Sequence, residues 1–260
     1  MATFSMINRI KYLIATTIER MGYTIVPNWR LKTYPQEQYL RRLFRELEID
    51  CVFDVGANIG QYHDFIRNDV GFEGMIVSFE PIPSNVEILR EKAKSDNKWI
   101  IEGYALGASS GNAFFNVMST TEFSSFLEPD NSVIRRFSQG NSVKERITVE
   151  VKTLDQAVAE LEGRIEFAMP YLKLDTQGFD LEVVRGAHSS IRKFKALQTE
   201  ASIKPIYAGM PNYLSSVEEF RAIGFELSGM FPVNDVTFPL LIEVDCHMIS
   251  KDVCPSSVSI

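Results

Sequence analysis

The sequence has only three cysteines, Cys51, Cys246 and Cys254, at spacings that match neither a disulfide framework nor a zinc site. Cys51 and Cys246 sit in apolar runs and read as small core residues, which fits a reducing, cytoplasmic compartment. No uninterrupted apolar run approaches the roughly eighteen residues that cross a bilayer, and the first residues lack the apolar stretch and small-residue cleavage site of a signal peptide. Stable membrane insertion is therefore not expected. Positive charge is also scarce: 27 Lys and Arg stand against 34 Asp and Glu, a formal net charge of -7, so no basic face is expected and nucleic acid is not an expected partner. Of the three histidines, His63, His188 and His247, none has a second histidine at ligand spacing, so all are read as structural or exposed and no metal is predicted.

What the 260 residues do contain suits one globular α/β domain with an extension, since 45% are hydrophobic and 23% charged. Phe4, Ile7, Ile10, Ile14, Ile18 and Met21 recur at helical spacing and predict an amphipathic helix, which packs on its own domain or forms a homodimer interface. Tyr39, Leu40, Leu43, Phe44 and Leu47 form a second stripe, over Pro35 to Leu47. This divides the chain into an N-terminal helical extension (1–48), a main domain (49–250) and a tail (251–260). Within the main domain, β-rich runs such as CVFDVG, MIVSFEP, KWIIEGYALG, YLKLDTQG and ALQTEASIKP alternate with helical patterns, the signature of βαβ units and a parallel sheet. Between Gly111 and Thr153 the rhythm breaks: AFFNVM and RITVEVKTL flank a long polar stretch over 119–146, a candidate substrate loop. GFELSGMFPV and PLLIEVDCHMIS then read as two neighbouring strands that close the sheet with an antiparallel edge.

The sharpest local signal is VFDVGANIG, a buried strand running into a turn with Gly56 and Gly60 and then a helix. Glycines there let backbone approach a ligand, and the helix N-terminus offers N–H donors to an anion. A dinucleotide fold would want G-x-G-x-x-G; only G-x-x-x-G is present, preceded by Asp54, whose charge suits an amine. The next strand ends in Glu80, placed to accept both hydroxyls of a ribose.

DVGANIGQ, VSFEPIP, GYALG, KLDTQGFDLEVVRGA and LQTEASIKPIY together resemble the FkbM family of methyltransferases, over about Cys51 to Ile249. The resemblance implies a Rossmann-like, doubly wound class I methyltransferase sheet of about seven strands with an antiparallel last strand. It implies S-adenosyl-L-methionine as cofactor, bound across the carboxyl ends of the first strands, and methyl transfer mainly to hydroxyl groups. Position by position it places Asp54, Gly56, Asn58, Gly60 and Gln61 around the methionine part, and Glu80 with Pro81 at the ribose. Ala105 and Leu106 fall at the adenine, and Ser124 and Ser125 resemble a serine pair that contacts cofactor or substrate. The family more often has Val-Glu-Gly where this chain has Thr176-Gln177-Gly178.

The strand ending in Asp175 delivers a carboxylate to the rim above the expected methyl donor, and Glu200 ends the next strand beside it. The two divide into base and orienting partner or share a divalent metal with oxygen ligands. Lys173, two residues before Asp175 on the same strand face, is expected to pair with it. Asp175, Glu200 and Lys173 are thus the candidate catalytic residues. Tyr207, Met210 and Tyr213 offer surface for stacking on a sugar ring. The expected activity is O-methylation of a saccharide or glycolipid-like acceptor. Methylation of a polyketide-type hydroxyl, a nicotinamide-dependent oxidoreductase and a non-catalytic cofactor-binding subunit stay open beside it.

Overall fold

The computed structural model describes residues 17–18, 20–132, 137–233 and 237–253. The stripe at Phe4, Ile7, Ile10 and Ile14, with the homodimer interface it suggests, and the tail from residue 254 lie outside the described residues. The second stripe forms α1 (Tyr34–Glu46), with Pro35 in its first turn, where a missing N–H costs nothing. α1 buries Leu40 and Phe44 against Val52, Tyr171 and Ala196 of the sheet, so it belongs to the main core.

A seven-stranded sheet runs β3-β2-β1-β7-β8-β10-β9. Its strands are β1 (Cys51–Val55), β2 (Met75–Phe79), β3 (Trp99–Glu102), β7 (Pro170–Leu174), β8 (Ala196–Ser202), β9 (Phe225–Pro232) and β10 (Glu243–Ser250). Every residue of β1 and β7 is buried, as expected of strands covered on both faces. The helices between them are α2 (Gln61–Phe65), which continues into a π-helical turn (Ile66–Val70), α3 (Pro83–Ala93), α4 (Leu154–Glu162), α5 (Asp180–Arg185) and α6 (Tyr213–Ala222). One core, around Phe53, Phe79, Leu154 and Phe220, fills one face; the other, around Leu40, Ile66, Leu89 and Trp99, fills the opposite face. This is the Rossmann-like doubly wound arrangement that the resemblance implied.

Two details differ from the sequence reading. The last strand, β10, is antiparallel, but it lies between β8 and β9, so the edge is β9. KWIIEGYALG is not one strand: after Glu102 the chain leaves the main sheet, and β4 (Ala105–Leu106) pairs with β6 (Val143–Lys152), which also pairs with β5 (Gly111–Met118). This second, three-stranded sheet packs Phe115, Val117, Val149 and Val151 beside Ile82 and Ala105. Periodicity marks strands but not which sheet they join.

Register across the main sheet decides where polar side chains fall. Ser78, Asp54, Lys173, Gln198 and His247 are successive register partners on β2, β1, β7, β8 and β10, a polar row crossing the face under α1 and α2. About two residues further along, at the carboxyl rim, Asp175 follows β7 while Glu200 and Asp245 are cross-strand partners.

Candidate functional site

A cavity of about 480 Å³ opens at the carboxyl rim of β1, β2, β7 and β8. Gly56, Asn58, Gln61, Glu80 and Pro81 face one end of it, Ala105 and Leu106 form part of its apolar wall, and Lys173, Asp175 and Glu200 stand at the other end. Three expected site residues do not face it. Asp54 is fully buried below the floor, Gly60 lies on Trp99, and Ser125 is fully buried and donates to the Gln177 carbonyl at 2.9 Å. Its neighbour Ser124 does line the cavity.

The glycine turn is held tightly by its own surroundings. A Cβ on Gly56 would stand 1.9 Å from the Asp175 carbonyl oxygen, and one on Gly60 would stand 2.9 Å from the Trp99 ring. Both residues also have φ values near +90°, so chain packing and backbone conformation each require glycine at these positions. Nor are the turn's N–H groups free. Those of Gly56 and Ala57 donate to the Phe79 carbonyl, Asn58 to Glu80 Oε2, Ile59 to Gln61 Oε1 and Gly60 to the Ala57 carbonyl. Asn58, itself at φ +47°, fixes the turn with its side chain, whose Oδ1 accepts from Asn85 at 2.8 Å and Thr121 at 3.0 Å.

Asp54 meets an internal cation. Its Oδ1 lies 3.0 Å from Lys173 Nζ, and its Oδ2 accepts from Ser78, whose hydroxyl accepts from the Trp99 indole. Lys173 Nζ also lies 3.4 Å from Asp175 Oδ2, the pairing expected from their spacing. Burial opposes the charge on Lys173, but Asp54 and Asp175 outweigh it and hold the ammonium above its usual range.

Glu80 is 4% exposed, and its two oxygens accept from the N–H groups of Asn58 and Ile82, both at 2.8 Å. Burial pushes its carboxyl up to about 7, against the pull of those two hydrogen bonds. At the opposite end, Gln177 occupies the left-handed region at φ +53° and donates from one amide nitrogen to Asp175 Oδ1 at 2.9 Å and Glu200 Oε2 at 2.7 Å. Its oxygen lies 3.0 Å from the Tyr207 hydroxyl, which is also 2.7 Å from the Phe123 carbonyl. Burial and the neighbouring Asp175, Glu243 and Asp245 push the Glu200 carboxyl well above the carboxylate range.

Several lining residues were not singled out by sequence. Glu243 and Asp245 open β10 beside Glu200, and Gln36 of α1 donates to Asp245 at 2.7 Å, so the extension contributes to the site. Only the cross-strand register Asp245–Glu200 would have found them. The loop after β5 brings Thr121, Glu122 and Phe123 to the cavity, with Gln61 donating to Glu122 at 2.8 Å. Conversely, Tyr207 and Met210 are packed in a core with Met118 and Ile242, and Tyr213 packs against Ala201 and Val244, so none offers a stacking face to the cavity. Burial pushes the Cys51 and Cys246 thiols up to about 12, in keeping with inert core residues. Likewise His63 stacks on Trp99 with ring centroids 3.5 Å apart, while burial drives His247 down to about 3. Among the described residues, no group of three or more His, Cys, Asp or Glu is arranged to hold a metal ion.

Residues 54–227 match the family model of the methyltransferase FkbM domain. No curated protein matches the sequence. Among solved structures, the chain is similar to methyltransferase FkbM from Methylobacillus flagellatus KT, at 14% identity and a TM-score of 0.49, over 76% of this chain and 43% of that one. It is also similar to a putative O-methyltransferase from Klebsiella pneumoniae, at 10% identity and a TM-score of 0.45, over 91% and 87% of the two chains. A third is Aeropyrum pernix fibrillarin in complex with natively bound S-adenosyl-L-methionine, at 12% identity and a TM-score of 0.43, over 77% and 66%. The chain spans less than half the length of the Methylobacillus protein. The family match alone covers more than half of this chain, and on that ground the chain belongs to the FkbM family of methyltransferases.

Proposed function

We propose that this chain is an S-adenosylmethionine-dependent O-methyltransferase acting on a hydroxyl of a saccharide or glycolipid-like acceptor. The observation that carries it is the single cavity linking Glu80 and the Ala105–Leu106 wall to Asp175, Gln177 and Glu200. The residues fit the donor. Each Glu80 oxygen accepts one backbone N–H and keeps a lone pair for a ribose hydroxyl, and Ala105, Leu106 and Ile82 give an apolar wall for a base.

When bound, the donor supplies an electrophilic methyl group on a sulfonium. The residues at the other end then align the acceptor oxygen and receive its proton. Asp175 is the favoured base: its side chain is 36% exposed, at the cavity, with Lys173 behind it. Glu200, shifted toward its protonated form, is the orienting partner, and the Gln177 amide fixes the spacing of the two. Alignment of oxygen, carbon and sulfur supplies much of the rate, since the donor is already activated. Phe123 and Phe137 add aromatic surface for a sugar ring where Tyr207 and Tyr213 do not.

Mass spectrometry of saccharide extracts incubated with donor, with and without protein, tests this by searching for one added methyl group. An Asp175→Ala variant that binds donor and methylates at the wild-type rate would remove Asp175 from the chemistry. Preference for a nicotinamide dinucleotide over S-adenosylmethionine in a direct titration would overturn the assignment altogether.

A further inference from the structure

Four carboxylates converge at the acceptor end of the cavity: Asp175, Glu200, Glu243 and Asp245. Among the cavity-lining residues the one basic side chain is Lys173, which is committed to Asp54 and Asp175. Two of the remaining acids have an amide donor, Gln177 at Glu200 and Gln36 at Asp245, both at 2.7 Å. Glu243 has neither amide nor cation. It is 6% exposed and faces the cavity, and among the described residues its carboxylate has no hydrogen-bond or ion-pair partner. Its carboxylate lines the cavity, so what hydrogen-bonds it comes from there.

The chemistry of that group can be narrowed. Among the described residues no group of three or more His, Cys, Asp or Glu is arranged as a metal site. A neutral polyol would supply hydrogen bonds but no positive charge to pair with the carboxylates. S-adenosylmethionine brings one net positive charge, on its sulfonium, because the ammonium and carboxylate of its amino-acid end cancel, and that single charge stands against four carboxylates. An organic cation answers both the charge and the missing hydrogen bonds, because an ammonium has three donors and no acceptor.

We propose that the acceptor carries a protonated amine, seated between Glu243, Asp245 and Glu200, close to the hydroxyl that faces Asp175; the substrate class is an amino sugar or a related amino alcohol. The inference rests on the methyl-transfer assignment above and names its acceptor. It accounts for the acids gathered at the start of β10, which the polar row beneath does not need. It also carries a proton signature. Burial pushes Glu243 up to about 7 and Asp245 up to about 6, so an arriving ammonium displaces protons that these groups hold near neutral pH.

The test is isothermal titration of protein saturated with S-adenosylhomocysteine at pH 7, using the methyl glycosides of glucosamine, N-acetylglucosamine and glucose, with ethanolamine as the acyclic amine. The glucosaminide is expected to bind at least tenfold more tightly than its N-acetyl and neutral counterparts, with proton release revealed by heats that depend on the buffer's ionisation enthalpy. Glu243→Gln and Asp245→Asn should each cut the preference for the amine at least fivefold while leaving S-adenosylhomocysteine affinity within twofold. Ethanolamine binding as tightly as the glucosaminide would also support an ammonium site and would place its source in acyclic amino alcohols. Equal or tighter binding of the neutral glycosides, or no binding by either amine, would overturn the inference. Failure of S-adenosylhomocysteine to bind at all would instead strike the methyl-transfer assignment, so the two failures are distinguishable.

Discussion

The Gln177 amide nitrogen lies 2.7 Å from Glu200 Oε2, and the same nitrogen reaches Asp175 Oδ1 at 2.9 Å. One neutral donor group thereby holds two carboxylates at a fixed separation at the cavity rim, in a turn whose φ of +53° aims the side chain inward. Gln177→Ala removes that bridge without adding charge. Methyl transfer is expected to fall about 10- to 100-fold in kcat, since misplacing a reacting group by about an ångström costs on that scale. Donor affinity, read by titration, should stay within about twofold, because Gln177 lies at the end away from Glu80; equal losses in both would assign it a binding role instead.

Lys173 and Asp54 form the other decisive pair, at 3.0 Å, with both side chains at most 5% exposed. Replacing Lys173 by Met leaves Asp54 buried without its cation, which is expected to cost about 3–5 kcal/mol of stability. Urea denaturation measures this, and the double variant Lys173→Met/Asp54→Asn should recover most of the loss. If the double variant is no more stable than the single, the lysine's contribution is packing rather than charge.

That pair also shows what the sequence could and could not disclose. The strand-turn-helix at Cys51–Gly60, the carboxylates Glu80, Asp175 and Glu200 at strand ends, and the alternation of strands and helices were legible, because each is a local pattern. Asp54 was legible as a special residue but not in its partner. The register Ser78–Asp54–Lys173 sets it against a lysine 119 positions later in the chain, and register across parallel strands is set by the whole sheet. Glu243 and Asp245 were missed for the same reason, since β10 returns antiparallel beside β8 and carries its first residues to the rim. Gln36 shows it from the other end of the chain: α1 reads as an extension, yet its apolar stripe is a face of the main core, which brings its polar edge to Asp245.

Glu80 predicts a pH dependence for donor binding. Its carboxyl is pushed up to about 7, and a ribose diol donates best to the ionised form, which offers acceptors on both oxygens. Donor affinity is therefore expected to weaken as pH falls through 7 toward 6, by up to about tenfold, the factor that one pH unit below a governing pKa imposes. Glu80→Gln should weaken binding at pH 8 and abolish most of that pH dependence. Titrations at pH 6, 7 and 8 check both statements, and a wild-type affinity unchanged over that range would detach Glu80 from the donor.

The same cluster sets the direction in which stability changes with pH. Glu80 and Glu243 rise from 4.5 to about 7 on folding and Asp245 from 3.8 to about 6, while Glu200 is raised as well. A carboxyl raised on folding binds protons in the native state that the unfolded chain has lost. Its stabilisation is complete below the unfolded value and disappears as pH rises through the folded one. His247 acts oppositely: lowered from 6.5 to about 3, it favours folding more as pH climbs between those values, so it offsets part of the trend below about pH 6.5. Above that, the carboxyls act alone among these groups. Unfolding free energy from urea melts is expected to fall from pH 6.5 to pH 8, and Glu243→Gln, which keeps the shape but removes one titrating group, should flatten the slope. A rise in stability over that interval would mean that the four acids are not held near their protonated forms in the native protein.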